Sequence, residues 1–161
     1  MVELCLKHDI TPKDLRLKAI GWKKDGCGFA MLKLIFADVP GKKMGIESPP
    51  FLCHKVDGDS FITGLISQDA RIHKVAMNIA ENKYIEYLKI YDANNNMIGK
   101  MDPCKCAPED KEFIVPAGHS IVGLYGLTSS NKYVMDNIPR HFDSIRGLGF
   151  ITMDLSEKQA A

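Results

Sequence analysis

The chain has 161 residues, 45% of them hydrophobic, which fits one domain with a substantial core and calls for no second. Its 21 basic and 20 acidic side chains leave a formal net charge of +1, which excludes the global field that would draw nucleic acid or an anionic membrane. No run reaches transmembrane length, and Met1 to His8 lacks the marks of a secretory signal, so the expectation is a cytoplasmic protein without a membrane span.

Taken in chain order, Thr11-Pro12 suits an N-cap and first helical turn, which predicts a short helix over Thr11 to Leu17. Lys24-Asp25-Gly26 is the first turn signal. Phe29-x-x-Leu32-x-Leu34 follows it and leads to a Pro40-Gly41 turn. Phe51-Leu52-Cys53 is an apolar-led segment ahead of Gly58-Asp59-Ser60-Phe61-Ile62-Thr63-Gly64-Leu65. Val75, Met77 and Ile79 alternate with Lys74, Ala76 and Asn78, giving one apolar face at period two, the mark of a strand. Ile85-x-x-Leu88-x-Ile90 comes next, then a turn at Asn94-Asn95-Asn96. Phe113-Ile114-Val115 and a Pro116-Ala117-Gly118 turn lead into Gly118-His119-Ser120-Ile121-Val122-Gly123-Leu124. The last core signature is Ile145-x-x-Leu148-x-Phe150, and a second short helix is expected only beyond Leu155.

These elements repeat. Gly64 to Gly123 is 59 residues, Ile85 to Ile145 is 60, and Phe29 lies 56 before Ile85. The units run from about 14 to 45, 51 to 100 and 111 to 153. In each Ile-x-x-Leu-x-Ile signature the spacing changes from three to two, so the apolar side stays inward only if a bulge or a strand start lies between. Three copies, each with too little apolar face to stand alone, predict an all-β domain spanning residues 1–161. The predicted arrangement is three similar sheets about a pseudo-threefold axis, a β-prism, with short helices at most near the termini.

The segment Gly118 to Gly126, with its Ile121-Val122-Gly123 and Gly126, resembles the glycine-marked strand pair of the jacalin-related lectins. Phe142-Asp143-Ser144-Ile145 with Leu148-Gly149-Phe150 resembles that family's closing strand. The resemblance covers about residues 14 to 153 and implies a β-prism with a sugar site on its apical loops. Asp143 would accept hydrogen bonds from sugar hydroxyls beside main-chain amides of the Gly126 loop. Gly26, in Asp25-Gly26-Cys27-Gly28, would supply the glycine-rich N-terminal loop. The chain differs from the family in a polar, charged insertion from Leu127 to His141, with Ser129-Ser130 where the family has its glycine.

Catalytic and metal signatures are incomplete. Cys104-Lys105-Cys106 is one tight pair where structural zinc sites use two, and the scattered Cys5, Cys27 and Cys53 suit free thiols. Asp92-Ala93-Asn94-Asn95-Asn96 opens like a calcium loop, but Met97 stands where glycine is needed and Pro103 where glutamate belongs. Gly118-His119-Ser120 is no nucleophile elbow, because the next glycine comes one residue late in a β pattern. The five histidines show no metal spacing, and no paired carboxylates or triad appear. Trp22 is read as core in preference to a sugar-stacking platform.

The sequence therefore predicts a non-enzymatic binding or structural module of a larger protein assembly, with no cofactor and no metal. Other protein subunits are its expected partners, held through the apolar residues of the insertion: Tyr133, Val134, Met135 and Ile138. The alternative is an intracellular carbohydrate-binding lectin acting through Asp143, Gly126 and Gly26.

Overall fold

The structure, a computed structural model, describes residues 16–25, 28–37, 46–53, 61–66, 71–79, 84–101 and 111–154. Among them every regular element is a strand and every pairing is antiparallel, in three open sheets. Sheet A holds β1 (Arg16–Asp25), β2 (Gly28–Ala37), β3 (Ile46–Glu47), β4 (Phe51–Leu52) and β5 (Ile62–Leu65). Sheet B holds β6 (Lys74–Ile79), β7 (Ile85–Tyr91), β8 (Met97–Met101) and β9 (Lys111–Ile114). Sheet C is one hairpin of two 17-residue strands, β10 (His119–Met135) and β11 (Ile138–Asp154). The stretch expected to be helical meets the structure only at Arg16 and Leu17, which are strand; its remainder and the tail beyond Leu155 lie outside the described residues.

Each sheet contains a hairpin with a bulge at the same point of the repeat. Lys24 pairs with Phe29 but Lys23 with Met31, leaving Ala30 as the extra residue. Asn78 pairs with Tyr87 but Ile79 with Ile85, leaving Glu86 over. Leu127 pairs with Gly147 but Thr128 with Ile145, leaving Arg146 over. The bulge is what the three-then-two spacing requires, since side chains three apart on an unbroken strand would face opposite ways. Phe29, Leu32 and Leu34 thereby join Ile85, Leu88, Ile90, Ile145 and Phe150 in one core, with Leu148 packed against it. Each side chain buried there contributes about 1.5–3 kcal/mol by leaving water. Trp22 packs edge-on against Phe29, ring centroids 5.7 Å apart, so it belongs to the core and offers no platform.

The residues just ahead of the three signatures, Gly28, Tyr84 and Ser144, come together. A Cβ on Gly28 would stand 3.0 Å from Tyr84 Cδ2 and 3.1 Å from Ser144 Cβ. The glycine-marked segments behave differently from the signatures. Gly64, on β5, pairs with Ile20 of β1 in sheet A, whereas Gly123, on β10, pairs with Ile151 of β11 in sheet C. Their nearly equal distances to Ile85 and Ile145 are filled by a crossing between sheets in one case and by an out-and-back hairpin in the other.

The turns follow their chemistry. Asp92 Oδ1 accepts from the backbone N–H of Asn94 and of Asn96, both at 2.9 Å, and Asn95 takes φ of 63°. The Asn96 side-chain amide, which donates to Asp92 Oδ2 at 3.1 Å, and then these backbone bonds hold the Asp92 carboxyl below the usual carboxylate range. Pro116 O accepts from His119 N–H at 3.0 Å while Gly118 takes φ of 76°, the third position of a type II turn.

Gly126 is where the third bulge tolerates no side chain: a Cβ there would lie 2.1 Å from Gly147 O, a backbone atom. Gly123 is tight but open, since its Cβ would meet only the exposed Ile151 side chain at 3.1 Å. Gly126→Ala is expected to cost about 1–3 kcal/mol or more, and Gly147→Ala, whose Cβ makes ordinary contact at 3.7 Å, about 0.5 kcal/mol or less. Denaturant melts of both variants check this, and equal stability of the two would contradict the bulge geometry.

Candidate functional site

Two features stand apart from the core, a polar junction around Asp143 and the outer arm of the β10–β11 hairpin. At the junction, Asp143 N–H donates to Asp25 Oδ2 at 3.0 Å, so the end of β1 is tied to β11. Ser130, the cross-strand partner of Asp143, donates its hydroxyl to Asp143 Oδ1. Cys53 lies buried beside them, its own N–H given to Ala30 O at 2.9 Å. Burial, then the negative charges of Asp143 and Asp25, push the Cys53 thiol up to about 12. A thiol so far above neutrality stays protonated and is no nucleophile.

Of the residues the lectin reading needs, Asp143 is half-buried and already hydrogen-bonded, and Gly26 lies outside the described residues. The bond to Asp25 does bring Asp143 to the β1–β2 hairpin end. Gly126 is not in a loop: it sits within β10 opposite Leu148, four residues from Ser130, or about 13 Å along a strand. Its lack of a side chain is explained by the close approach to Gly147 O.

The insertion from Leu127 to His141 is not a loop either. It is a continuous ribbon, with Tyr133 paired to Arg140, Val134 to Pro139 and Met135 to Ile138. Asp136 and Asn137 close it with φ of 53° and 61°, the two left-handed residues of a type I′ turn that matches strand twist. The ribbon is the turn-side arm of the third hairpin. Among the described residues, the first hairpin has two pairs beyond the bulge, the second one, and the third eight, a length of about 25 Å. It does not fold back on the domain. Val134 is 71% exposed, Ile138 52% and Met135 46%. Large apolar residues also stand exposed at its base: Tyr125 and Leu127 on β10, Ile151 on β11.

Sequence reasoning missed Asp25, Ser130 and the ribbon pairing. The signal for the last was present in Val134-Met135-Asp136-Asn137-Ile138-Pro139, two residues tolerant of positive φ between apolar pairs. His119 Nδ1 lies 3.1 Å from Thr152 Oγ1, a cross-strand contact, and no cluster of three metal-ligating side chains forms among the described residues. Cys104 and Cys106 lie outside them. No helix among the described residues is long and apolar enough to cross a membrane. Compared with models of known protein families, with curated proteins and with solved structures, the chain matches none.

Glu86, the bulge residue of the second hairpin, is 7% exposed, and burial raises its carboxyl pKa, offset in part by a hydrogen bond from Tyr84. A raised folded-state pKa means the group stabilises the fold fully below its ordinary value of 4.5 and loses that contribution as pH rises through the folded value. Glu86→Gln is therefore expected to melt higher than the parent protein at neutral pH and level with it at acid pH below the ordinary value. A variant less stable at neutral pH would show that the carboxylate is held by a partner.

Proposed function

We propose that this chain is a non-enzymatic binding domain with a jacalin-like β-prism architecture. It serves as a module of a larger cytoplasmic protein assembly and makes its contact through the β10–β11 ribbon. Three bulged hairpins whose leading residues converge support the prism. The observation that carries the contact is the exposed tip: Val134, Met135 and Ile138 stand in water on a fully paired ribbon closed by a tight turn. Exposed apolar groups on a preorganised element bind with little ordering cost, which is the physical profile of an interface anchor. A second reading, a carbohydrate-binding lectin, draws support from Asp143 lying against the β1–β2 hairpin end. Against it, Ser130 already occupies the Asp143 carboxylate and Gly126 is remote.

Affinity purification of the tagged chain from its native source, with Val134→Asp/Ile138→Asp beside it, tests the first reading. The variant should keep its fold, since both sites are exposed, and lose the co-purifying subunits. Unchanged recovery would remove the ribbon from the interface. A glycan array with Asp143→Ala tests the second: binding that the substitution abolishes would move the function to the junction.

A further inference from the structure

The edges of the three sheets are protected unequally. Sheets A and B end in short strands: β3 and β4 of two residues, β5 and β9 of four, β8 of five. Among the described residues sheet C has no further strand on either side, and within that set both of its 17-residue strands are edges. Long open edges are pairing templates, and proteins usually blunt them with proline, charge, bulges or short length. The β11 edge carries such devices in Pro139, Arg140 and the bulge at Arg146. The β10 edge from Leu127 to Met135 carries no proline, and its one charged residue is Lys132.

That nine-residue segment, Leu127-Thr128-Ser129-Ser130-Asn131-Lys132-Tyr133-Val134-Met135, carries an apolar residue at each end and polar residues around its middle, Asn131. A two-fold antiparallel pairing of two copies centred there sets Leu127 opposite Met135 of the other copy, Thr128 opposite Val134, Ser129 opposite Tyr133, Ser130 opposite Lys132, and Asn131 opposite itself. The end pair is apolar with apolar, Thr128 and Val134 are both β-branched, and every other pair has at least one uncharged polar member. No like charges meet, and Leu127 and Met135, 64% and 46% exposed, cover one another at both ends. A two-fold contact must be self-complementary in this way, whereas a foreign strand imposes no symmetry on the edge. Nine paired residues also supply about eight to ten main-chain hydrogen bonds, the number found in an ordinary protein interface.

We infer that the β10 edge binds a second copy of this chain, joining two sheets C into one four-stranded sheet, β11-β10-β10-β11. The inference rests on reading the ribbon as a protein contact and names the partner of that contact. The docking is strand addition, with main-chain bonds giving affinity and the Leu127–Met135 contacts fixing register.

The test is static light scattering across a concentration series on the full chain, with Leu127→Lys and Met135→Glu made separately. The parent protein is expected to rise from its monomer mass of 17.9 kDa toward twice that value. Each variant alone is expected to stay at the monomer mass, because each places a charge against an apolar group at both ends. Mixed one to one, the two variants should dimerise again. One end of the mixed pair sets the introduced lysine against the introduced glutamate, and the other keeps Leu127 against Met135. Both sites are exposed, so the variants should fold, and circular dichroism checks that. A parent protein that stays monomeric up to about 1 mM, a dimer indifferent to both substitutions, or a mixture that does not recover each overturns the inference. Loss of subunits from Val134→Asp/Ile138→Asp while the parent stays monomeric would overturn the second copy and leave the ribbon reading in place.

Discussion

An extra residue in one strand of a hairpin resets which way the chain faces, so that apolar side chains three apart on either side of it both point inward. Ala30, Glu86 and Arg146 are those residues, and the rest of the molecule is arranged around them. Without the reset, Phe29 and Leu32, Ile85 and Leu88, or Ile145 and Leu148 could not share one core. The positions that follow from it are severe. Gly28 has Tyr84 and Ser144 at van der Waals range, and at Gly126 the facing backbone comes too close for any side chain.

The same irregularity has three different surroundings. Ala30 is small and buried, Glu86 is buried with its carboxyl pushed toward the neutral form, and Arg146 faces water. Among the described residues, the first two hairpins have only a pair or two beyond their bulges. The third continues for eight pairs and ends with Val134, Met135 and Ile138 exposed. A bulge also increases local twist, so the one at Arg146 sets the angle at which the ribbon leaves the domain. The link from Asp143 N–H to Asp25 then fixes the base of the ribbon to sheet A.

The all-β class was legible from the alternation at Val75, Met77 and Ile79, and the bulges from the change of spacing in three signatures, because both are local consequences of strand geometry. Trp22 as core was legible from residue type. What escaped was long-range. The offset between Gly64 and Ile85 says how much chain separates them but not that β5 joins β1, since a crossing and an out-and-back hairpin consume equal length. The stretch from Leu127 to His141 looked like a loop because its apolar residues do not alternate with polar ones, and periodicity reports burial, which a ribbon in water lacks. Asp136-Asn137 was the one local mark of its turn. For the site, Asp143 was found from a resemblance, but Asp25 and Ser130 meet it only through pairing across the sheets.

Asp143 also separates the two functional readings in physical terms. Its main-chain N–H holds sheet A, and its carboxylate accepts from Ser130 on the neighbouring strand. A sugar hydroxyl could replace only the second of these, exchanging one hydrogen bond for another at a net change of about 0.5–1.5 kcal/mol. The ribbon itself is held by its main-chain ladder, which no side-chain exchange at Asp143 removes. Ligand binding at the junction and contact along the ribbon therefore draw on different bonds: the first on a side-chain acceptor, the second on an open backbone edge and the apolar groups beside it. A change at Asp143 leaves the edge intact, and a charge at Leu127 or Met135 leaves the Asp143–Asp25 link intact, because neither residue takes part in the other's hydrogen bonds.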